Sequence, residues 1–483
     1  MEEHTKAKQC WECRRRRLVC DSTRSGCRKC QARGMACPGY DGRKLKWLQP
    51  QQVNAKGPLK WVVPRPLQPE SSREMGAIFE AIEYYNVHIS PDLAASGAGG
   101  PGSPYFMHHF AVPFLPRSCT QSLVCTALCH RILQLSDASA LVQAALTRRL
   151  QWHRGEALRA LAADLGRPEN QTADSTLAAV LLLLLVEIQQ SFTPNWRHHS
   201  NGATTMIEMK GGLSDLVFSR PYLRHLFRYY SIIEVMGSTT SPEVGVDSAR
   251  NHLELITLLP VLYGNGLATC FPCPPDLFIE IIHINHLRSR LRGAAAAVGQ
   301  DTMALRRDKS SAALDVLRRI RAFQIDKWAA EVGFDKAGER VGFGGWQIIA
   351  YIYQSAIAIY CIASLLYDNT EACSGMDTDR YLGPREVISK TRDVCRSVLL
   401  SRLREACGST QLRKLVLWPL VVAGIEAEDH ATKRFVLEEL QWISSSLGTA
   451  APLIAKDFLE QRVWRCKRGA WDSLFDQSYV FVL

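Results

Sequence analysis

Six cysteines near the amino terminus form a short internal repeat, and they constrain this 483-residue chain more than any other feature. They stand at Cys10, Cys13, Cys20, Cys27, Cys30 and Cys37, so C-x2-C-x6-C occurs twice, separated by a six-residue spacer. Each half offers a close pair of thiols and a third thiol one loop later. Close cysteine pairs at this spacing are typical of structural zinc sites. Because bound zinc supplies folding free energy to such small modules, the segment is expected to fold around metal.

Counting ligands favours two zinc ions over one. Structural zinc is four-coordinate and tetrahedral, so two ions need eight ligand positions. Six thiolates supply eight only if two of the sulfurs each bridge both ions. The rival arrangement is one zinc held by Cys10, Cys13, Cys27 and Cys30, which leaves the third thiol of each half without a role. A disulfide framework would need a secretory context. The charged amino terminus, MEEHTKAK, lacks the apolar core of a signal peptide.

Basic residues are concentrated in the same segment. Residues 1–60 contain 15 Lys and Arg against 5 Asp and Glu, whereas 61–483 are nearly balanced at 43 and 42. A basic segment attracts polyanions because neutralised phosphates release their condensed counterions. Alone it would indicate only a solvated face, but interleaved with metal ligands it predicts a nucleic-acid interface. The candidate contact residues are Arg14, Arg15, Arg16, Arg17, Arg28, Lys29, Arg43 and Lys44.

The cysteine pattern resembles the zinc binuclear cluster of fungal transcription factors, C-x2-C-x6-C, a variable spacer, then C-x2-C-x6 to 8-C. The resemblance implies two Zn(II) ions bridged by Cys10 and Cys27. It also implies two short pseudo-symmetric helices, of which the one after Cys10 enters the major groove of double-stranded DNA and reads a CGG-like triplet. The family's basic pair corresponds to Arg16 and Arg17. Many members carry a proline in the middle spacer, and this chain has none there.

A proline-rich stretch follows the cysteine repeat, with prolines at 50, 58, 64, 66 and 69. Proline at these intervals excludes a continuous helix, so the coiled coil through which many relatives dimerise, which needs sustained apolar heptads, is not expected here. The protein is therefore expected to act as a monomer or to dimerise through its larger domain. We divide the chain into a zinc-cluster DNA-binding domain at 1–48, a Pro-rich linker at 49–72 and a large domain at 73–483.

From about residue 73 onward, apolar residues recur at helical spacing, as at Ile78, Ile82 and Tyr85. No alternating strand series of useful length occurs, so the large domain is predicted to be all-α and long enough to bury a core. The longest apolar run, Leu177–Val186, is too short to cross a bilayer, and no membrane partner is expected. Helices are predicted near 118–135, 138–163, 174–190, 196–210, 219–236, 248–259, 275–293, 309–331, 343–367, 384–405, 411–427, 430–446 and 455–468.

Two segments of the large domain resemble the fungal-specific transcription factor regulatory domain that commonly follows a zinc cluster. One is W-x-x-H-x-x-G-A…GG, from Trp196 through Gly202 to Gly212, and the other is W-P-L…A-G-x-E-A, from Trp418 to Ala427. As plain packing, the tryptophans are core anchors and Gly202 is a close helix contact, so these residues fix the fold rather than a chemical site. The last residues, WDSLFDQSYVFVL, suit either an activation segment or a final packed helix or strand.

Nothing in the sequence favours an enzyme. Phosphate-loop, nucleophile-elbow and dinucleotide patterns are missing, and the pair His283 and His286 has no carboxylate or cysteine at helical spacing to complete a metal set. The lone Cys270-x-x-Cys273 pair is interpreted as a loop rather than a redox site.

The resemblance implies a nuclear regulator of RNA polymerase II transcription that binds promoter DNA and contacts the transcription machinery or co-regulators. Its target would be a secondary-metabolite or other metabolic pathway in a fungus. The alternative is a zinc-dependent interaction or RNA-binding protein without sequence-specific promoter binding.

Overall fold

Helices dominate this computed structural model, and no β-strand occurs among the residues it describes. Those residues are 9–10, 12–13, 16, 18–23, 26–35, 37, 72–97, 100–135, 140–190, 196–242, 246–296, 302–333, 341–366, 382–465 and 470–482. The chain divides into two compact units, one within 1–62 and one within 63–483. The predicted limit at 48 lies outside the described residues, and so does nearly all of the linker. The prediction of an all-α large domain is confirmed.

The smaller unit contains short helical segments in each half of the cysteine repeat. Glu12 and Cys13 are helical in the first half, and α1 (Arg28–Gln31) lies in the second. The Cys27 side chain accepts a hydrogen bond from the Cys30 backbone N–H at the start of α1, so a cysteine serves as its N-cap.

The larger unit is built from helices joined mostly by short connections. In chain order they are α2 (Ser72–His88), α3 (Arg117–Gln134), α4 (Ala140–Leu165), α5 (Asp174–Gln190), α6 (Trp196–Met209), α7 (Leu213–Ser219), α8 (Arg224–Thr239), α9 (Val246–Leu262), α10 (Pro275–Ala296), α11 (Thr302–Ala322), α12 (Ile325–Gly333), α13 (Phe343–Cys361), α14 (Leu382–Cys407), α15 (Thr410–Arg413), α16 (Leu417–Glu426), α17 (His430–Leu447) and α18 (Ala451–Phe458). Short 3-10 helices lie at Ser90–Asp92, His109–Phe114, Pro221–Leu223 and Trp471–Leu474, and π-helical turns extend α13 and α18 at Ile362–Leu366 and Leu459–Val463.

Consecutive helices pack against each other in pairs, as α3 with α4, α9 with α10 and α13 with α14. Their inner faces join in one large apolar core that reaches from α3 to the last described residues. A smaller cluster lies among α2, α3, α4 and α5, where Ile78 and Ile82 are completely buried. The helical face predicted from these two isoleucines therefore does pack inward.

Helix α13 and its π-helical extension, Phe343–Leu366, are long and apolar enough by length and composition to cross a membrane. Most of that span is buried inside the larger unit, and Ile349 and Ile357 have no exposed surface. A buried helix in the middle of a multi-helix core needs apolar residues all round. We therefore interpret this helix as the central core helix of the unit.

Two predicted helices are broken in the structure. The helix predicted at 309–331 is α11 followed by α12, because α12 turns to pack Trp328 edge-on against Trp346 of α13, with ring centroids 6.2 Å apart. The helix predicted at 411–427 is α15 followed by α16. The Tyr353 hydroxyl donates to the Leu415 carbonyl between them, over 3.0 Å. Both breaks depend on residues distant in sequence.

The described carboxyl-terminal residues, 470–482, are part of the core. Trp471, Phe475 and Phe481 are buried, and the Trp471 indole N–H donates to the carbonyl of Thr239 at the end of α8 over 2.7 Å. Phe458 of α18 stacks on Phe475, with ring centroids 5.1 Å apart. The sequence left open an activation segment or a final packed helix or strand. The segment packs into the core, and its only regular element among the described residues is the 3-10 helix at Trp471–Leu474.

Candidate metal centre and nucleic-acid interface

The repeated sequence of the smaller unit produces a repeated local structure. The Cys13 backbone N–H donates to the sulfur of Cys10, and the Cys30 N–H donates to the sulfur of Cys27, both over 3.4 Å. Five residues after the second cysteine of each half, the chain turns back in the same way. Leu18 donates to the Cys13 carbonyl over 2.9 Å, and Met35 donates to the Cys30 carbonyl over 3.1 Å. The two halves therefore present their thiols in equivalent ways.

The six cysteine sulfurs converge on the interior of the unit. The Cys10 sulfur lies 3.6 Å from that of Cys27 and 3.8 Å from that of Cys30, and the Cys13 and Cys27 sulfurs are 3.6 Å apart. These four cysteines are almost completely buried, and Cys20 and Cys37 are half-buried. Among the described residues of this unit, these four cysteines are the only buried ones, with Leu18 packed against them.

The sulfurs form two overlapping sets of four, each with its atoms within 4.8 Å of one another. One set is Cys10, Cys13, Cys20 and Cys27, and the other is Cys10, Cys27, Cys30 and Cys37. Tetrahedral zinc with Zn–S near ~2.3 Å requires sulfurs about 3.8 Å apart, which fits the sulfur–sulfur distances of 3.6 and 3.8 Å. Cys10 and Cys27 belong to both sets, so the geometry offers eight ligand positions from six thiols. Neither set is the ribbon-like group of Cys10, Cys13, Cys27 and Cys30.

The crowding of these thiols opposes their ionisation. Burial, followed by the contacts with the sulfurs of Cys10 and Cys27, raises the pKa of Cys13 to about 12. The contact with Cys27, followed by burial, raises the pKa of Cys30. Cys20 differs: burial raises its pKa, but hydrogen bonds from the backbone N–H groups of Cys10 and Ser22 outweigh that effect and lower it to about 6. Thiolates held this close need cations between them, which is what divalent zinc provides.

Three of the predicted DNA-contacting residues lie within the described part of the unit. Arg28 and Lys29 are exposed on α1. Arg16 is about one-third exposed, and its Nε lies 2.5 Å from a carboxylate oxygen of Glu12. The other predicted residues, Arg14, Arg15, Arg17, Arg43 and Lys44, lie outside the described residues.

Asp21 is a structural residue that the sequence analysis missed. Its carboxylate accepts hydrogen bonds from the Thr23 hydroxyl over 2.6 Å and from the Arg28 backbone N–H over 3.1 Å. The bonds from Thr23 and Arg28 hold the pKa of the Asp21 carboxyl below its ordinary value. Asp21 thus fastens the middle spacer to the start of α1 without the proline that many family members have there. An aspartate at the start of a Ser/Thr-containing turn was the available signal.

The two regulatory-domain segments hold structural residues. The Trp196 indole N–H donates to the carbonyl of Ser478 over 3.0 Å, and the Trp418 indole N–H donates to the Thr239 hydroxyl over 3.0 Å. Both tryptophans are buried, as predicted. The expectation of a close helix contact at Gly202 is wrong, because a Cβ placed there meets no heavy atom within 4 Å. Gly424 fills that role instead: a Cβ there would lie 2.5 Å from a methyl group of Leu459.

Glu426, in the second of these segments, is a buried carboxylate held by two arginines. It accepts from Arg392 over 2.7 Å and from Arg396 over 3.1 Å. Burial raises the pKa of Glu426, but the hydrogen bond and charge of Arg392 and the charge of Arg396 outweigh it and leave the pKa below its ordinary value. The ion pairs join α14 to the end of α16 and supply no open site.

His283, Cys270 and Cys273 of the larger unit have ordinary structural environments. The expectation that no carboxylate stands at helical spacing from His283 is wrong, because Glu280 stands three residues before it and its carboxylate lies 3.1 Å from the His283 Nδ1. Glu280 is also bound by Arg319 through two hydrogen bonds of 2.7 Å, so this cluster is an ion-pair network. Cys270 and Cys273 are both buried in a loop, and burial raises the pKa of Cys273 well above its ordinary value. The interpretation of that pair as a loop agrees with this inert environment.

Comparisons with known proteins identify the larger unit. A family model described as the fungal specific transcription factor domain matches residues 80–475. The phomenoic acid biosynthesis cluster-specific transcriptional regulator of Leptosphaeria maculans is 31% identical over 506 aligned positions, which cover all of this chain and 91% of that protein. Arginine metabolism regulation protein II of Saccharomyces cerevisiae is 40% identical over 48 residues, 10% of this chain and 5% of that protein. No solved structure matches the chain.

The chain belongs to the fungal-specific transcription factor domain family. It is a fungal transcription regulator and not an enzyme.

Proposed function

We propose that the protein is a zinc-dependent, sequence-specific DNA-binding regulator that acts in the nucleus of a fungus. The observation that carries the proposal is the pair of overlapping sulfur sets that share Cys10 and Cys27. Two Zn(II) ions would be held there, with Cys13 and Cys20 completing one site and Cys30 and Cys37 the other. The zinc ions supply charge compensation and cross-linking to a unit whose described buried residues are all cysteines.

The proposed DNA-binding surface consists of the basic residues around this centre. Arg28 and Lys29 are exposed on α1, where they suit phosphate contacts that position the unit on a duplex. The arginine run between Cys13 and Cys20 would enter the major groove, where an arginine can grip guanine O6 and N7. A CGG-like triplet offers two such guanines on one strand. The proposed domain limits remain 1–48, 49–72 and 73–483, with the all-α domain serving regulation, contacts with co-regulators and any dimerisation.

The proposed target is a biosynthetic gene cluster. The Leptosphaeria relative, named as a cluster-specific regulator of phomenoic acid biosynthesis, aligns with this chain along its whole length. We therefore infer that this protein controls the genes of a secondary-metabolite pathway in its own source. Genome-wide mapping of bound DNA should find sites concentrated at the promoters of one gene cluster. Sites spread over unrelated genes would contradict this assignment.

Binding measurements on the zinc-loaded full chain test the DNA-reading proposal. Fluorescence anisotropy should give tighter binding to a duplex that contains CGG than to the same duplex with the triplet scrambled. Arg17→Ala should reduce the affinity for the CGG duplex by about tenfold or more, since a bidentate arginine–guanine contact is worth roughly 1–3 kcal/mol. Lys29→Ala is the control, because losing a phosphate contact should weaken both duplexes alike.

The same assay separates the proposal from its alternative. If both duplexes and a single-stranded RNA of equal length bind equally, and Arg17→Ala weakens all three alike, the protein is a general polyanion binder. That result would favour the zinc-dependent interaction or RNA-binding role.

A further inference from the structure

The guanidinium group of Arg16 is held between Glu12 and Met35 of the smaller unit, and we call these three residues the brace. The Arg16 Nε lies 2.5 Å from a carboxylate oxygen of Glu12, and the Arg16 backbone N–H donates to the Glu12 carbonyl over 3.1 Å. The remaining part of the guanidinium reaches Met35, whose sulfur lies 3.7 Å from Nη2. Glu12 and Arg16 belong to the first half of the cysteine repeat, and Met35 belongs to the second. The guanidinium therefore connects the two halves on the outside of the sulfur cluster.

The ion pair has favourable geometry for a helical turn. Glu12 stands four residues before Arg16, and a glutamate on the amino-terminal side is the more stabilising order for such pairs. The Glu12 side chain is only 18% exposed and that of Arg16 is 35% exposed, so solvent screens the pair less than it would an open surface pair.

The second half of the repeat lacks this pair. Residues at equivalent positions are 17 apart, so Lys29 corresponds to Glu12 and Arg33 corresponds to Arg16. Two cations four residues apart repel each other, and both side chains are exposed. The brace is thus a property of the half that carries the arginine run, and the cysteine spacing does not require it.

The contacts of Arg16 conflict with direct base reading by this residue. A guanidinium must turn two adjacent N–H groups toward guanine to make a bidentate contact, whereas Nε and Nη2 of Arg16 face Glu12 and Met35. Reaching a base would break the ion pair and leave the Glu12 carboxylate close to DNA phosphates. Keeping the ion pair neutralises that carboxylate.

We propose that Glu12 makes Arg16 a positioning residue: the Glu12–Arg16–Met35 brace holds the arginine run at a fixed angle to the zinc cluster, and Arg17 reads the guanine. This inference rests on the proposed DNA-reading function. It gives the two residues of the basic pair different roles, positioning for Arg16 and base reading for Arg17. Arg16 contributes to sequence preference by fixing the backbone from which its neighbour extends.

Conservative replacement separates positioning from base reading. The measured quantity is the ratio of Kd for the scrambled duplex to Kd for the CGG duplex, with the zinc-loaded full chain. Lysine keeps the charge that pairs with Glu12 but cannot form the planar two-pronged contact. Arg16→Lys should therefore keep the ratio within about threefold of the parent, whereas Arg17→Lys should lower it by about tenfold or more. A tenfold loss with Arg16→Lys would overturn the positioning role.

A second measurement tests the brace without DNA. Zinc release after mixing with excess chelator should be about two- to fivefold faster in Glu12→Gln and in Arg16→Ala, because either change removes the ion pair between these two residues. The double variant should release zinc no faster than Arg16→Ala, because that change already removes both the ion pair with Glu12 and the contact with Met35. Parent-like rates in the single variants, or effects that multiply in the double variant, would overturn the brace. If the parent protein fails to distinguish the two duplexes, the DNA-reading function fails, and the release rates still decide whether the brace exists.

Discussion

Asp472→Asn tests how the carboxyl-terminal segment is attached to the core. The partner of Asp472 is Arg288 of α10, whose side chain is 2% exposed. The Arg288 Nε lies 3.0 Å from the Asp472 carboxylate, and its Nη atoms donate to the Ser238 carbonyl over 2.8 Å, the Tyr360 hydroxyl over 2.7 Å and the Ser241 carbonyl over 3.1 Å. Asp472 is the only carboxylate among these contacts of Arg288 in the described residues.

The magnitude follows from that geometry. Asparagine preserves the shape and one acceptor oxygen of Asp472, so the substitution removes mainly the negative charge. Leaving one member of a buried ion pair uncompensated costs about 3–5 kcal/mol. The Asp472 side chain is 26% exposed, which allows some solvent screening, so we expect a loss of about 3 kcal/mol in the free energy of unfolding.

Equilibrium urea unfolding of the full chain, followed by far-ultraviolet circular dichroism, measures this loss. Asp457→Asn is the matched control, because Asp457 is exposed on α18 and should change stability by less than about 0.5 kcal/mol. In an Arg288→Met background the cost of Asp472→Asn should fall by about 2 kcal/mol or more, since no buried cation remains. An equal cost with and without Arg288 would refute the reasoning.

Other predictions concern single features of the two units. Gly237→Ala would place a Cβ 2.6 Å from the ring of buried Trp196 and should destabilise the larger unit by about 1–3 kcal/mol in urea unfolding. Gly202→Ala is the control: its Cβ meets no heavy atom within 4 Å, so it should be neutral or stabilising. Equal effects of the two substitutions would contradict the packing of Gly237 against Trp196. Burial, followed by the charges of nearby cations, lowers the pKa of His130 to about 4. As the pH falls, His130 is protonated in the unfolded chain before it is protonated in the folded protein. The free energy of unfolding should therefore fall by about 1 kcal/mol from pH 7 to 5.5. His130→Gln should remove that part of the pH dependence. If the slope of unfolding free energy against pH is unchanged in this variant, the assignment to His130 is wrong. Chelation of zinc should unfold residues 10–37 and spare the helical signal of the larger unit, whereas loss of most helicity would show that the units are not independent.

Much of the architecture could be predicted because it depends on local periodicity. The apolar residues Ile78 and Ile82 of α2 recur at helical spacing, so the sequence alone predicts that helix and its buried face. Helices α5 and α13 contain long apolar stretches, which predict buried segments of the core. The need for two shared sulfurs follows from tetrahedral coordination of two ions by six thiolates, whereas the choice of Cys10 and Cys27 as the shared pair came from the family resemblance.

The remaining features depend on partners far away in the chain. The break before α12 requires Trp346, and the buried position of the last residues requires Thr239 and Arg288, more than 180 residues earlier. Gly202 resembled a packing glycine only through its motif, and nothing local distinguishes it from Gly424. The Glu12–Arg16 pair was visible in the four-residue spacing, but the contact with Met35 requires the fold of the cluster.

The zinc content of the purified, fully loaded full chain tests the central claim most directly. Two overlapping sulfur sets that share Cys10 and Cys27 predict two zinc ions per chain, measured by mass spectrometry of the metal against protein concentration. A ratio of one would contradict the binuclear cluster and favour a single ribbon-like site.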